Sequence, residues 1–546
     1  MRLAFAASLL CLPLVLTACG GGGPIPCACP ASVRPTVIAT TPASQATGVA
    51  ITTTVSATFS TPMTSASLTT STFTLTAAGG TAVSGQVSYS SSSQTATFTP
   101  SASLAYNTTY TATITTGATG FTGLGLAAND TWTFTTAATA PSPATIDFGT
   151  TYQTIRGFGG STAWMPQMST ALASALYGTA SGQIGLSILR VRIDPTSTTG
   201  GANWATELAN AQEAIAAGSS VSVIATPWTP PAAYKTSSSS QPYTSGCTSS
   251  PTTLCGGYLD PAHYADYATY LNSFVTYFAN GGVPLYGISM QNEPDASVTY
   301  ESCGWTPTQM DTWIAGNAST LTTKLIMPES ESFSTAYSDP SLADPNAVSH
   351  IGIIAGHLYG TQPSYYTNAE NAGKDVWMTE YYLTPSGIQP AIADALLAAK
   401  NIHDSLTTGS YNAYLWWWVA DWNSGSGVTN YGLVDSSNNL TFYGIAMAQF
   451  SRYIRPGYVR VSATANPQAN VYLSAYSGNG HVAIIAINLG TSSATQSFTL
   501  ANATLSSLTP IQTNTEVVLG TLSPVNLTQG AFTYTLPAQS ITTFID

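Results

Sequence analysis

Leu285-Tyr-Gly-Ile-Ser-Met-Gln-Asn-Glu-Pro-Asp295 opens as a short apolar run of strand character and stops at Asn292-Glu293-Pro294. Proline removes a ladder donor and pushes its predecessor out of the helical region, so Glu293 is predicted at a strand's C-terminal lip. A second run, Val376-Trp-Met-Thr-Glu-Tyr-Tyr382, also carries a carboxylate, Glu380, at the end of a hydrophobic strand. Two glutamates at two strand ends point to a fold that gathers such ends on one face, and to a pair that does chemistry.

Outward from these two, strands alternate with helical stretches, the pattern of a parallel α/β architecture. Ile155–Gly160, Leu186–Asp194, Val221–Trp228, Leu285–Asn292, Thr323–Met327, Ile351–Tyr359, Val376–Glu380 and Asn412–Trp418 make eight candidate strands. The clearest helix has Asp260 as N-cap, Pro261 in its first turn and Gly281-Gly282 at its end. Its apolar residues Tyr264, Tyr267, Ala268, Leu271, Phe274, Val275 and Phe278 follow the 3.6-residue period; Ile388–Leu406 behaves similarly. Eight strands close most simply as a (β/α)8 TIM barrel over residues 145–455, with its working face at the strands' C-terminal ends. Residues 456–546 return to alternating β runs and read as a β-sandwich side domain, completed by a strand near 145–148. Residues 36–137 are rich in Thr, Ser, Ala and Val in short alternating runs, which predicts an N-terminal all-β Ig-like sandwich, read as a spacer. Residues 20–35 form a linker.

The chain has 546 residues, 44% of them hydrophobic, so it should bury a substantial core. Only 7% are charged and the net charge is −12, which leaves no basic field for nucleic acid or an anionic membrane. A neutral polymer is the more natural partner, and a monomer is expected. Met1-Arg2, the apolar Leu3–Val15 and Leu16-Thr-Ala-Cys19 read as an export signal over residues 1–19 that ends at a lipobox-like cysteine. Lipidated Cys19 would then tether an exported bacterial lipoprotein to the cell surface or outer membrane; an ordinary cleaved signal would give a secreted protein. Membrane attachment is expected only through this anchor. Cys247 and Cys255 flank a Ser/Thr/Pro-rich loop and are the expected disulfide. Cys27, Cys29 and Cys303 are left without an assigned pairing. Cys27-Ala-Cys29 has no histidine or second cysteine pair nearby, so no metal site is read there, and no cofactor is expected.

Two carboxylates about 5 Å apart in an enclosed cleft suit retaining glycoside hydrolysis, one as nucleophile and one as acid/base. Mutual repulsion and apolar walls are expected to raise one pKa, keeping that carboxyl protonated for the leaving oxygen. Trp164, Trp228, Trp305, Trp417 and Trp418 lie at or just beyond strand ends, where aromatic faces suit the C–H faces of sugar rings, although tryptophan is equally at home packing a barrel. Trp416, inside its strand, reads as core. On the second strand Leu189, Val191 and Ile193 share one face and Arg190, Arg192 and Asp194 the other. Arg190 is expected to point into the barrel and pair with Glu380. Asn292 would offer its amide to a sugar hydroxyl, and Tyr382, after Glu380, is a further sugar contact. His357 is either a hydroxyl ligand or a hydrogen-bonded barrel histidine.

Several stretches together resemble family-30 glycoside hydrolases of the bacterial xylanase branch that includes the glucuronoxylanases. They are Ile155-Arg-Gly-Phe-Gly-Gly-Ser161, Ile188–Pro195, Ala225-Thr-Pro-Trp-Thr-Pro-Pro231, Ile288–Asp295, Tyr300-Glu-Ser-Cys-Gly-Trp305, Val376–Glu380, Ala413–Trp417, Phe450–Arg460 and Leu536–Ser540. The resemblance covers about residues 143 to 546. It implies a metal-free, retaining endo-β-1,4-xylanase acting on xylan, with Glu293 as acid/base and Glu380 as nucleophile. One departure matters. Where the glucuronoxylanases carry an Ile-Arg-Arg segment that clamps a uronic acid branch, this chain has Val419-Ala420-Asp421-Trp422, and no arginine follows before Arg452. Aspartate there would repel a uronate. The loop Tyr381–Pro385 also lacks the small hydroxyl residue expected to help hold that branch. Xylan cleavage independent of glucuronic acid is therefore expected. The alternatives are a retaining glycosidase for another β-linked glucan or galactan, and a non-catalytic cell-surface glycan-binding protein on the same barrel.

Overall fold

The computed structural model describes residues 33–137, 142–236, 255–421 and 428–546. The expected leader with Cys19, the pair Cys27 and Cys29, Cys247 and Trp422 lie outside the described residues. Cys255 is disulfide-bonded and Cys303 is a free, buried thiol. No helix among the described residues is long and apolar enough to cross a membrane. The chain divides into two compact units, residues 1–138 and 139–546.

The first unit is all β. One four-stranded sheet runs Val37–Thr41, Val55–Phe59, Thr95–Pro100, Gly85–Ser90, and the other Ala46–Val49, Asp130–Thr136, Thr109–Ile114, Phe73–Ala77. Alternate residues point inward, so that Val55, Ala57 and Phe59 bury while Ser56 and Thr58 between them do not. Phe73, Phe98 and Trp132 pack ring against ring at the centre, with centroids 5.8 and 5.9 Å apart.

In the second unit eight parallel strands close into a barrel. They are β1 (Gly157–Ser161), β2 (Ile188–Ile193), β3 (Ser222–Pro227), β4 (Gly287–Ser289), β5 (Lys324–Ser330), β6 (Ile351–His357), β7 (Asp375–Glu380) and β8 (Ala413–Trp418). Strand alternation sorts their side chains. Ile188, Ile224, Ile326, Ile353, Trp377 and Leu415 fill the inside of the ring, whereas Leu189, Val191, Ile193 and Ile354 join the larger core beneath the helices. β1 can be glycine-rich because its neighbour is so close: a Cβ on Gly159 would lie 2.3 Å from the Ile188 carbonyl oxygen.

The expected helix after Asp260 begins with a 3-10 turn, Pro261–His263, in which the Asp260 carboxylate accepts the Ala262 N–H at 2.9 Å. It continues as Tyr264–Asn280 and buries Tyr267, Leu271, Phe274 and Phe278, each worth about 2 kcal/mol against exposure. The helix expected from Ile388 starts later, at Ile392, and ends at Thr407. Pro390 precedes it, and the Asp394 carboxylate accepts the Ala391 N–H at 2.7 Å, which fixes the start there.

The side domain is a ten-stranded sheet, nine strands in one hydrogen-bonded path and one paired off it, in which the early strand Ala144–Thr154 lies between Val459–Ala463 and Ala494–Ala501. One side of it has its own core around Ile146, Leu473, Ile484, Phe498 and Phe544. Tyr476, Ile485, Ile487 and Ile541 instead join the barrel's outer core, against Ile392–Thr407 and Phe442–Ser451.

Candidate active site

β4 is shorter than its apolar run suggests. It ends at Ser289, after which Asn292 N–H donates to the Pro227 carbonyl at 2.8 Å and Glu293 N–H to the Glu329 carbonyl at 2.9 Å. Glu293 has φ of 43°, a left-handed conformation that a non-glycine residue adopts at a cost and that aims its side chain off the strand line. Glu380 is the last residue of β7 and His357 the last of β6. An oxygen of Glu293, an oxygen of Glu380 and a ring nitrogen of His357 all lie within 4.8 Å of one another. Such a set has the spacing of a cation site, but its atoms are already engaged with protein partners.

Arg190, fully buried in the barrel, ties the group together. Its Nη1 donates to Glu380 Oε2 at 2.5 Å, its Nη2 to Asn292 Oδ1 at 2.6 Å and its Nε to Thr226 Oγ1 at 3.1 Å. Glu329 Oε1 lies 3.2 Å from the same Nε, and the guanidinium stands 4.7 Å over the Trp228 ring. The Tyr359 hydroxyl donates to Glu380 Oε1 at 3.0 Å, so both oxygens of that carboxylate are held. Glu293 is held differently: Oε1 pairs with His357 Nδ1 at 2.9 Å and Oε2 accepts the Tyr300 hydroxyl at 3.3 Å.

Electrostatics follow from burial and neighbours. Burial pushes the Glu380 carboxyl up, His357 and Arg190 pull it down, and Glu293 pushes it up again, leaving it above the ordinary range. The upward shift falls on Glu380, the member expected as nucleophile. Burial would also raise Glu329, but Arg190 and His357 outweigh it and hold that carboxyl at about 2. Burial disfavours charge on His357, yet Glu380, Glu293 and Glu329 raise it to about 10.

Above these groups lies a cleft of about 500 Å³. Trp164, Trp228, Trp417, Trp418 and Tyr382 line it together with Glu293 and Glu380. Trp164 meets Trp228 edge-on at 4.9 Å and is 37% exposed. Trp305, expected to face sugar, is a correction: it is 1% exposed, donates to Gln291 Oε1 at 3.2 Å and packs on Tyr264, so it belongs to the core. Arg190, Asn292 and His357 lie beneath the cleft wall. The carbonyl of Asn292 is taken by Arg190, while its amide nitrogen makes no hydrogen bond among the described residues. Asp421 is buried and accepts the Tyr431 N–H at 3.3 Å, so its charge is not displayed in the cleft. No lysine or arginine is among the described residues that line the cleft.

Four residues at the site escaped the sequence reading: Glu329, Tyr359, Tyr300 and Glu331. Glu329 carried the same signal as Glu293 and Glu380, an acid ending an apolar strand in a chain with only 24 acids. Tyr359 follows His357 by two residues. Tyr300 and Glu331 sit in loops with no periodic signal.

A family model described as the Glycosyl hydrolase family 30 TIM-barrel domain matches residues 202–376, and one described as a Bacterial Ig-like domain matches residues 31–136. Over 414 residues the chain is 36% identical to Glucuronoxylanase XynC of Bacillus subtilis (strain 168), covering 74% of this chain and 92% of that protein. Among solved structures it is similar to the glycoside hydrolase family 30 subfamily 8 xylanase Xyn30A from Clostridium acetobutylicum, with 41% identity, 74% of this chain and 99% of that chain covered, and a TM-score of 0.66. A GH30 endoxylanase from Clostridium papyrosolvens C71 gives 37% identity, coverage of 74% and 99%, and a TM-score of 0.65.

Proposed function

This chain belongs to glycosyl hydrolase family 30, and from that premise we propose that it is an endo-β-1,4-xylanase that cleaves the xylan backbone with retention of configuration. The observation that carries the mechanism is the approach of the two carboxylates within 4.8 Å. That spacing suits a direct attack by one of them and leaves no room for the intervening water that inversion needs. In this reading a Glu380 oxygen attacks the anomeric carbon, the glycosidic C–O bond breaks, and its electron pair goes to the leaving oxygen, which takes a proton from Glu293. The Glu293 carboxylate then removes a proton from water, whose oxygen attacks the same carbon and releases Glu380. The roles rest on the family resemblance and on how each carboxylate is held. Arg190 and Tyr359 fix both oxygens of Glu380, as a nucleophile and leaving group requires. Glu293 shares one oxygen with a charged histidine and the other with Tyr300 at the cleft wall.

Cleavage independent of uronic acid branches is part of the same proposal. It is supported by the absence of lysine and arginine among the described residues that line the cleft and by their absence from the sequence between Lys400 and Arg452. Repulsion by Asp421 does not contribute, since that group is buried. The test is digestion of unbranched and uronate-branched xylan with separation of the products. Comparable rates and internal cleavage of both are expected; strict dependence on the branch defeats the branch reading, and cleavage of another glucan alone defeats the xylan reading. Azide rescue of Glu380→Ala to an α-glycosyl azide and of Glu293→Ala to a β-glycosyl azide is expected. The opposite pattern reverses the two roles.

We further propose that Cys19 is lipidated and holds the enzyme at the cell surface. The support is the apolar leader that ends in Leu16-Thr-Ala-Cys19 and the glycine run that follows. Release of Cys19→Ser into the medium, with loss of an acyl group by mass spectrometry, is the expected result.

A further inference from the structure

Glu331 follows β5 and lines the cleft beside Glu293, yet nothing in the roles above uses it. Its backbone is pinned from two sides. The N–H donates to Asp295 Oδ1 at 2.9 Å, and the carbonyl accepts the Tyr359 N–H at 3.2 Å. Ser330, just before it, donates its hydroxyl to Asp295 Oδ2 at 2.6 Å. The Glu331 carboxylate itself is half-buried and has no hydrogen-bond or ion-pair partner among the described residues. An ionised group held unpaired against aromatic walls is unfavourable, and the pinned backbone keeps it there. Burial pushes this carboxyl up, Glu293 and Asp295 add to the shift, and His357 opposes it.

We propose that Glu331 accepts hydroxyls of the sugar on the leaving-group side of the scissile bond, and that its charge turns acidic sugar units away from that position. The inference rests on Glu293 being the acid/base. Glu331 stands on the Glu293 side of the cleft, tied there through Asp295 two residues beyond Glu293. The titratable groups that share its surroundings are Glu293, Asp295 and Tyr300 from the β4 loop, His357 and Tyr359 at β6, and Glu380 and Tyr382 at β7. A neutral sugar meets in Glu331 a strong acceptor. A uronate meets an uncompensated like charge.

The test compares the full-length enzyme with Glu331→Gln and Glu331→Asp on neutral xylo-oligosaccharides, uronate-bearing oligosaccharides and an aryl β-xylobioside, whose phenolate leaving group requires neither a leaving-side sugar nor strong acid assistance. Glu331→Gln is expected to raise KM for neutral oligosaccharides about tenfold, from loss of a charge-assisted hydrogen bond. It should narrow the preference for neutral oligosaccharides over those with a uronate at this one position about threefold or more and leave the aryl substrate within about twofold. Glu331→Asp should raise KM while keeping the discrimination, and it carries the test on KM and the aryl substrate if Glu331→Gln does not fold. Variants that match the wild type on every substrate, or that lose the aryl activity equally, overturn the inference. If the wild type cleaves no xylan, the reading beneath it falls instead.

Discussion

Arg190 and Tyr359 hold Glu380 by opposite oxygens, and each has a separate measurable effect. Tyr359→Phe removes one donor from the carboxylate form, so the acid limb of kcat/KM should rise and kcat fall about 10- to 100-fold. Because the Glu380 carboxyl is already raised above 4.5, the wild-type activity should decline with acid before an ordinary carboxylate would protonate. Arg190→Met leaves Glu329 and Glu380 buried without their cation and should cost about 3–5 kcal/mol in denaturant unfolding. Stability should depend on pH through two further groups. Glu329 is lowered from 4.5 to about 2, so its contribution is complete above 4.5 and is lost as pH falls toward 2. His357 is raised from 6.5 to about 10, so its contribution is complete below 6.5 and is lost as pH rises through about 10. Thermal melts of Glu329→Gln and His357→Asn should flatten the acid and alkaline limbs respectively. Strand alternation made the inward course of Arg190 legible, because one face of Ile188–Ile193 is aliphatic and the other charged. Nothing comparable separated Trp305 from Trp228: both follow strands and both are buried, and only the packing shows that Trp228 forms part of the cleft wall while Trp305 lies in the core against Tyr264.

Elements carry the second level of constraint. The left-handed turn at Glu293 ends β4 three residues earlier than hydrophobicity alone implies, and hydrogen bonds to Pro227 and Glu329 replace the ladder. Strand identity was readable from apolar runs and their terminating prolines; this turn was not, since it depends on partners from β3 and β5. β1 shows how tightly neighbouring strands set each other's residues. Gly159→Ala would drive a methyl group into the Ile188 carbonyl, and because backbone cannot swing aside, the variant is expected to yield little folded protein by circular dichroism. A milder case is the helix Pro307–Asn317. The Thr306 hydroxyl accepts the Gln309 N–H at 3.1 Å, and the Gln309 side chain accepts the Thr306 N–H at 2.8 Å. Thr306→Ala should cost about 1 kcal/mol and leave kcat unchanged.

At the scale of the molecule, the two units have separate hydrophobic cores. Deleting residues 1–138 should therefore leave kcat/KM on a soluble oligosaccharide within about twofold, whereas deleting residues 456–546 should give insoluble protein by uncovering Ile392–Thr407 and Phe442–Ser451. The compositional break near residue 138 and the return to β alternation after 456 were plain in the sequence. The path of the side sheet was not, because strand neighbours so far apart leave no local trace. Thr145 N–H, in the side sheet's strand Ala144–Thr154, bonds to the Thr464 hydroxyl 319 positions away. The strand made earliest in this unit therefore waits for Val459–Ala463 and Ala494–Ala501, and loop closure over such a span is slow as well as costly. The flank cannot be completed while the ribosome is still elongating it. A nascent copy consequently lacks the cover over Ile392–Thr407 and Phe442–Ser451 until its final hundred residues exist, and a premature stop within that tail is expected to leave them bare.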